Sequence, residues 1–178
     1  METGMAGNER AFRPLDIAVL TVSDTRTEAD DKSGKLLVGR LEAAGHRCFE
    51  KAIVPDDIYR IREVVSRWLA ADSPQVVLTT GGTGVTGRDC TPEAVQPLLD
   101  KVIDGFGEMF RMLSWEDIAT STLQSRCIAG VANATYVFCL PGSAGACALG
   151  WDRLICHQLD YRTRPCNLVE LMPRLLER

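Results

Sequence analysis

Histidine is scarce in this sequence, and the usual signatures of metal and redox sites are missing. The 178 residues include two histidines, His46 and His157, and seven cysteines that form no Cys-x-x-Cys pair. Structural zinc sites are usually built from cysteine and histidine in closely spaced pairs, so a zinc site is not expected. An odd number of widely spaced cysteines also argues against a disulfide framework. We therefore expect reduced thiols.

The chain also lacks a strong excess of charge and a long apolar run. Its net charge of -4 gives no reason to expect nucleic acid or an anionic membrane as a partner. No continuous apolar run approaches the roughly 20 residues of a membrane span. Residues 1–12 are polar and contain glycine, unlike a signal peptide. These features predict a cytoplasmic protein.

Length and patterning predict one α/β domain. With 46% hydrophobic residues, a chain of this size can form a proper core. Apolar runs alternate with helical patterns, and they predict a three-layer α/β/α domain with a mainly parallel sheet. A hairpin turning at Asn133 would make the sheet mixed. Strands are predicted at residues 15–22, 46–54, 75–80, 126–131 and 135–140, and helices at 33–44, 58–69, 92–102, 106–113 and 144–159.

Three parts of the chain are distinguished. Residues 1–13 are predicted to be a flexible extension, residues 14–167 the domain, and residues 168–178 a tail that contributes to an interface. The reason for the last prediction is that apolar residues between Tyr161 and Met172 lie outside the regular alternation of strands and helices. Apolar side chains in that position need a covering surface, so we expect a homo-oligomer.

The glycine-rich segment from Thr79 to Glu93 carries the strongest functional signal. It follows an apolar strand and precedes a helix start, where Thr91 is expected to be the cap and Pro92 the first helical residue. Ligands of open α/β sheets bind at the carboxyl ends of strands. Glycines there let backbone N–H groups approach a phosphate closely. The segment therefore predicts an anion site.

Two common phosphate motifs almost match this loop. Gly82, Gly84 and Gly87 have the G-x-G-x-x-G spacing, but no second strand ending in an acid is expected about twenty residues later. A nucleoside-triphosphatase loop would need Lys-Ser/Thr where Arg88-Asp89 stands. Arg88 suits phosphate oxygens and Asp89 suits Mg²⁺. An ordinary turn with an Arg-Asp surface pair is the structural alternative, and a dinucleotide-dependent oxidoreductase is the weakest functional one.

Four polar loops leave the predicted strand ends. They begin at Ser23-Asp24, Pro55-Asp56, Thr80-Gly81 and Pro141-Gly142. Parallel strands end at one edge of a sheet, so these loops should meet in one cleft. Each residue alone has a simpler interpretation: Asp56 and Ser143 could be helix caps and Asp24 a turn residue.

Five separated motifs, in order, resemble the molybdenum cofactor biosynthesis protein B family and its near relative MogA, the molybdopterin adenylyltransferase. The resemblance covers residues 15–167. The motifs are Leu20-Thr21-Val22-Ser23-Asp24, residues 79–94, Gly105-Phe106-Gly107-Glu108-Met109-Phe110-Arg111, residues 121–126, and Leu140-Pro141-Gly142-Ser143. Their co-occurrence is far more specific than any one of them.

The resemblance implies a protein that binds molybdopterin and ATP and adenylylates the pterin phosphate. It gives Asp56 and Asp89 the catalytic, Mg²⁺-binding role. The implied substrate and phosphate contacts are Ser23, Asp24, Thr80, Gly81, Gly82, Thr83, Gly84, Arg88, Ser125, Arg126, Pro141, Gly142 and Ser143. A structural ion pair is the competing interpretation of Arg126.

The same resemblance implies trimers that pair into hexamers, and other proteins of the pathway as candidate partners. No nucleic-acid or membrane partner is expected. A non-catalytic molybdopterin carrier with the same cleft is the alternative function. Asp56 favours the enzyme, because some protein B members lack that acid.

Overall fold

The strands form one mixed sheet. The computed structural model describes residues 10–177. Its strands are β1 (Asp16–Val22), β2 (Arg47–Val54), β3 (Val76–Thr80), β4 (Lys101–Val102), β5 (Ile128–Ala132) and β6 (Thr135–Leu140), in the sheet order β2-β1-β3-β6-β5-β4. The first four in this order are parallel, whereas β5 and β4 are antiparallel to their neighbours. The carboxyl ends of β1, β2, β3 and β6 therefore share one edge.

Helices cover both faces of the sheet. They are α1 (Lys32–Ala43), α2 (Ile58–Leu69), α3 (Thr91–Val95), α4 (Asp104–Ile118), α5 (Ala144–Gly150), α6 (Cys156–Gln158) and α7 (Leu168–Leu171). A π-helical turn, Trp151–Ile155, joins α5 to α6. Short 3-10 turns occupy Gln96–Leu98, Ala119–Gln124 and Met172–Arg174.

The alternation of side chains along β1 builds two cores. Ile17 and Val19 face a cluster that includes Leu37, Phe110 and Trp151, and Ala18 and Leu20 face a second cluster. The second cluster contains Ile61, Val65, Trp68 and Ala94. Burying the valine, leucine, isoleucine and phenylalanine side chains of these clusters stabilises the fold by about 1.5–3 kcal/mol each. The predicted single α/β domain with three layers and a mixed, mainly parallel sheet is confirmed.

One predicted helix is wrong. Residues 97–102 were expected to continue the helix that starts near Pro92, but α3 ends at Val95 and the chain then forms β4. β4 pairs with β5 through Lys101–Val131 and Val102–Gly130. It is antiparallel and lies at the sheet edge away from β3, so the glycine loop is not part of a Rossmann unit.

The C-terminal segment lies on its own domain. Val169 is buried in the first core, and Tyr161, Leu168 and Met172 pack against that core. These side chains therefore need no partner to cover them, but Leu171 stays 44% exposed, and an interface at this segment stays a prediction. Arg10 forms a salt bridge with Glu170, so the last residues of the predicted extension also contact this segment.

Residues 1–9 lie outside the described part of the chain. Among residues 10–177, no helix is long and apolar enough to cross a membrane.

Candidate functional site

The loops that follow β1, β2, β3 and β6 meet at one edge of the sheet. The backbone N–H of Asp56 donates to Asp24 Oδ1 at 3.1 Å, which joins the first two loops. The Thr80 hydroxyl donates to the Pro141 carbonyl at 3.0 Å, which joins the other two. The structure thus brings together the loops that the sequence placed at a common edge.

The glycine loop turns sharply where it leaves β3. Gly81 and Gly82 have φ angles of +105° and +64°. A Cβ on Gly81 would lie 2.1 Å from the Val22 carbonyl oxygen. Only glycine combines this backbone conformation with so close an approach. The loop is therefore held against the end of β1.

Thr91 closes this turn and does not cap a helix. The first helical residue of α3 is Thr91 itself, and its cap, Cys90, makes no side-chain capping bond. The Thr91 hydroxyl donates instead to the Gly81 carbonyl at 2.8 Å, and its backbone N–H donates to the Gly82 carbonyl at 2.9 Å. The predicted capping role of Thr91 is wrong, because its hydroxyl and its backbone N–H both donate to carbonyls of the glycine turn.

Asp89 is held in its ionised form by its own loop. Its Oδ2 accepts the Thr86 backbone N–H at 2.9 Å and the Thr86 hydroxyl at 2.5 Å. Burial acts to raise the pKa of Asp89, but these bonds, one from the Gly84 backbone and the charge of Arg126 outweigh it, so the pKa is lowered. A carboxylate fixed in this way is an anionic oxygen ligand at neutral pH.

Asp56 has the opposite electrostatic setting. Partial burial raises its pKa, and the negative charges of Asp24 and Asp89 raise it further. A bound cation would relieve this unfavourable charge density. Each carboxylate lies beside a glycine of the loop: a Cβ on Gly82 would be 3.1 Å from Asp56 Oδ1, and one on Gly84 would be 2.7 Å from Asp89 Oδ2.

Both candidate phosphate-binding arginines make contacts within the protein. Arg88 donates from Nε and Nη2 to the two carboxylate oxygens of Asp24, at 2.9 and 2.7 Å. The surface-pair interpretation joined Arg88 to the adjacent Asp89, but Arg88 pairs with Asp24 instead. Arg126 donates to the carbonyls of Gly84 at 2.6 Å and Asp89 at 3.1 Å, and it forms an ion pair with Glu93. The structural interpretation of Arg126 is thus present in the folded chain.

A cleft of about 420 Å³ opens beside the glycine loop. Of the residues named from the sequence, those in its wall are Gly82, Thr83, Gly84, Asp89, Ser125, Pro141, Gly142 and Ser143. Ser23 and Thr80 lie where these loops begin, but they do not line this cleft. The Ser23 hydroxyl accepts the backbone N–H of Thr25 and of Arg26, and Thr80 is buried beneath Pro141. These two side chains stabilise the loops.

The rest of the cleft wall comes from α4, the turn that follows it and α5. These residues were not assigned to the site from the sequence: Phe110, Ser114, Ile118, Ser121, Gln124 and Ala146. Two of the resembling motifs contain Phe110, Ser121 and Gln124, so a signal for them was present. Ser114 and Ile118 lie further along α4, which is longer than the helix predicted at 106–113.

The cysteines offer no activated nucleophile in this site. All seven are free thiols, in keeping with the expected reduced state. Cys90 lies on the glycine loop, and burial together with the charges of Asp56 and Glu93 raises the pKa of its thiol. A thiol with a raised pKa is a poor nucleophile at neutral pH.

Residues 18–161 match the family model of a probable molybdopterin binding domain. The chain belongs to this family. It is 56% identical over 156 residues to molybdenum cofactor biosynthesis protein B of Escherichia coli K12. The aligned region covers 88% of this chain and 92% of that protein. The match to the family thus extends over the greater part of the sequence.

Solved structures of the family have the same architecture. A crystal structure of molybdenum cofactor biosynthesis protein B superposes with a TM-score of 0.82 at 47% identity, and the match covers 84% of this chain and 94% of that one. The tungsten cofactor synthesizing protein MoaB of Pyrococcus furiosus gives a TM-score of 0.74 at 36% identity, with coverage of 82% and 92%. The resemblance to the protein B family is confirmed.

Proposed function

We propose that this protein adenylylates molybdopterin, with Mg-ATP as the donor and pyrophosphate as the second product. The observation that carries the proposal is the arrangement of two carboxylates around the glycine loop. Asp56 and Asp89 approach Gly82 and Gly84 from different loops, and the charge of one raises the pKa of the other. Such a pair is suited to a divalent cation between protein and phosphate.

The donor set fits Mg²⁺ bound together with a nucleotide. Mg²⁺ is commonly held by one or two carboxylates, with phosphate oxygens and water completing its shell. Among residues 10–177 no group of three or more histidine, cysteine or acidic side chains is placed to enclose a metal. Asp56 and Asp89 would hold the ion together with phosphate oxygens and water. The bound ion would neutralise charge on the triphosphate and the departing pyrophosphate.

The mixed apolar and polar wall of the cleft supports a pterin as its ligand. Phe110, Ile118 and Pro141 supply apolar wall, and Ser114 and Gln124 supply polar groups. A flat heterocycle with donors and acceptors along its edge is recognised by such a mixture. Asp89 and Gly84 lie in the same wall, so a phosphate on the pterin could reach Asp89, whereas Asp56 lies outside this wall.

The proposed reaction is an in-line displacement. An oxygen of the molybdopterin phosphate forms a bond to the α-phosphorus of ATP, and the bond from that phosphorus to the bridging α,β-oxygen breaks. Pyrophosphate leaves with the electron pair of that bond. The protein needs to align the two phosphates and offset charge, without a covalent nucleophile. The raised pKa of the Cys90 thiol agrees with this mechanism.

The internal contacts of the arginines favour one competing function. Arg88 binds Asp24 and Arg126 binds Glu93, so neither guanidinium is free to neutralise a transferring phosphate in this conformation. A molybdopterin carrier would need the cleft but not such neutralisation. The cytoplasmic location and the pathway partners stay predictions under either function.

Purified protein, molybdopterin and Mg-ATP distinguish the two functions. Pyrophosphate release should depend on molybdopterin and should stop when Mg²⁺ is chelated. ATP alone is the control for background hydrolysis. Saturable binding of molybdopterin without pyrophosphate release would reject the enzyme and leave the carrier.

A further inference from the structure

Arg26 connects the loop after β1 to the loop after β6, which lines the cleft. Its Nη2 donates to the Gly142 carbonyl at 2.7 Å, and its backbone N–H donates to the Ser23 hydroxyl at 3.2 Å. Gly142 lies in the cleft wall next to Ser143. The same loop touches the glycine turn, since a Cβ on Gly142 would be 3.2 Å from Gly81 Cα. The position of Gly142 is therefore shared by three loops.

The other end of the guanidinium is anchored in the protein interior. Arg26 Nη1 donates to the Ser33 hydroxyl at 2.5 Å and lies 4.0 Å from Asp31 Oδ1. Ser33 and Asp31 are fully buried at the start of α1. Only about a third of the Arg26 side chain is exposed.

Asp31 is itself fixed by bonds from three directions. Its carboxylate accepts the Thr21 hydroxyl at 2.8 Å and the Gly34 backbone N–H at 2.9 Å, and Lys51 Nζ lies 2.8 Å away. Gly34 allows this close packing, because a Cβ there would be 2.2 Å from Asp31 Oδ2. A buried, ionised and fully bonded carboxylate is a rigid anchor.

We propose that Arg26 is a positioning residue of the cleft: it transmits the fixed geometry of Asp31 and Ser33 to the Gly142 carbonyl and so sets the wall against which the pterin lies. The identity of the ligand rests on the proposed function. A guanidinium carries divergent N–H groups in one rigid plane, so it spans Ser33 and Gly142 at once. A lysine would keep the charge but lacks the planar fork. Arg26 acts on the ligand indirectly, through Gly142 and Ser143, because both of its terminal nitrogens already donate hydrogen bonds within the protein.

Arg26→Lys, Arg26→Ala and Ser33→Ala test this arrangement. Ser33→Ala removes one anchor and leaves Arg26 in place. Arg40→Ala is the matched control, because Arg40 also joins two elements, through Asp152 at 3.0 Å, but lies outside the cleft. The measurements are molybdopterin affinity, unfolding temperature and backbone amide exchange in peptides covering residues 140–147.

Both Arg26 variants should weaken molybdopterin binding by roughly tenfold or more and speed exchange in that segment, because small misplacements of binding groups are costly. Ser33→Ala should show a smaller change in the same direction, and Arg40→Ala none. Arg26→Lys with wild-type affinity and exchange would overturn the proposal, since charge alone would then suffice. A purely stabilising side chain would lower the unfolding temperature and leave both other measurements unchanged in the folded protein.

The exchange measurement separates this inference from the proposed function. If the wild-type protein binds molybdopterin but releases no pyrophosphate, adenylyl transfer fails and the affinity series still tests Arg26. If it binds no molybdopterin at all, the proposed function fails, and exchange at residues 140–147 alone decides whether Arg26 holds Gly142.

Discussion

Asp24 accepts two hydrogen bonds from the guanidinium of Arg88, at 2.9 and 2.7 Å, and so ties the loop after β1 to the glycine loop. The hydrogen bond from Arg88 holds the pKa of Asp24 below its ordinary value. Asp24 therefore stays charged, and after burial its charge is the second cause of the raised pKa of Asp56. One surface ion pair thus contributes to the electrostatic environment of a proposed metal ligand.

Replacing Asp24 should change the titration of Asp56. Asp24→Asn removes one cause of the upward shift, so the pKa of Asp56 should fall toward the ordinary aspartate value of about 3.9. Burial persists, so some elevation should be retained. Carboxyl NMR titration of Asp56 measures the effect, with Asp72→Asn as a surface control. An unchanged Asp56 titration in Asp24→Asn would show that Asp24 has no such influence.

The glycine loop should tolerate alanine at Gly87 but not at Gly81. In Gly81→Ala the new methyl group would meet the Val22 carbonyl at 2.1 Å in a left-handed backbone conformation. The strain and the backbone shift should cost about 2 kcal/mol or more of unfolding free energy. Gly87→Ala, in the same loop, meets nothing within 4 Å and should change stability by less than about 1 kcal/mol. Urea unfolding compares the two, and equal losses would contradict the steric argument.

Most of the fold could be predicted because its strands are apolar runs with local boundaries. β3 and β6 are buried along their whole lengths, and such runs are recognisable without tertiary information. Ser143 caps α5, as its local sequence indicated, whereas α2 is capped by Asp57 and not by Asp56. β4 was missed because its two residues are exposed and become a strand only by pairing with β5.

The pairings within the site could not be predicted from local sequence. Asp24 and Arg88 are 64 residues apart, and nothing near either residue indicates the other as its partner. Likewise, the Thr80 hydroxyl is the right type for a phosphate contact, but tertiary packing directs it to the Pro141 carbonyl. The Ser23 hydroxyl is taken up by a local turn, in which it accepts the backbone N–H groups of Thr25 and Arg26. The sequence could place the loops at one edge, because that follows from parallel strands. It could not say which polar groups would still be available to a ligand.

Oligomerisation is best tested on α4. Met109, Met112, Trp115 and Ile118 leave 42–58% of their surfaces exposed along this helix. An apolar stripe of this kind is unusual on a monomer. Light scattering should give three or six times the 19.5 kDa chain mass, and Met112→Asp should reduce it. Tyr59→Asp, on α2, is the control. A monomer at micromolar concentration would reject the prediction.

Asp56 and Asp89 should affect stability in opposite directions. The lowered pKa of Asp89 means that its charge stabilises the fold above the unfolded-state pKa of about 3.9, and this stability is lost as pH falls through the folded pKa. The raised pKa of Asp56 means that its charge destabilises the fold once pH exceeds the folded value. At pH 7, Asp89→Asn should therefore unfold more easily and Asp56→Asn less easily, each by less than about 1 kcal/mol.

The two substitutions should nevertheless have the same effect on chemistry. Each removes a charge that would hold Mg²⁺ at the reacting phosphates, so AMP transfer should fall about a hundredfold or more while molybdopterin affinity changes little. Asp57→Asn is the matched control, because Asp57 is adjacent to Asp56 but caps α2, a role that asparagine also fills. Unfolding curves at pH 7 and pH 3 and turnover at pH 7 complete the comparison. A more stable Asp56→Asn with lost turnover would show that Asp56 is retained for function at the expense of stability. Turnover within a few-fold of wild type in Asp89→Asn would leave that residue only its structural role in the loop.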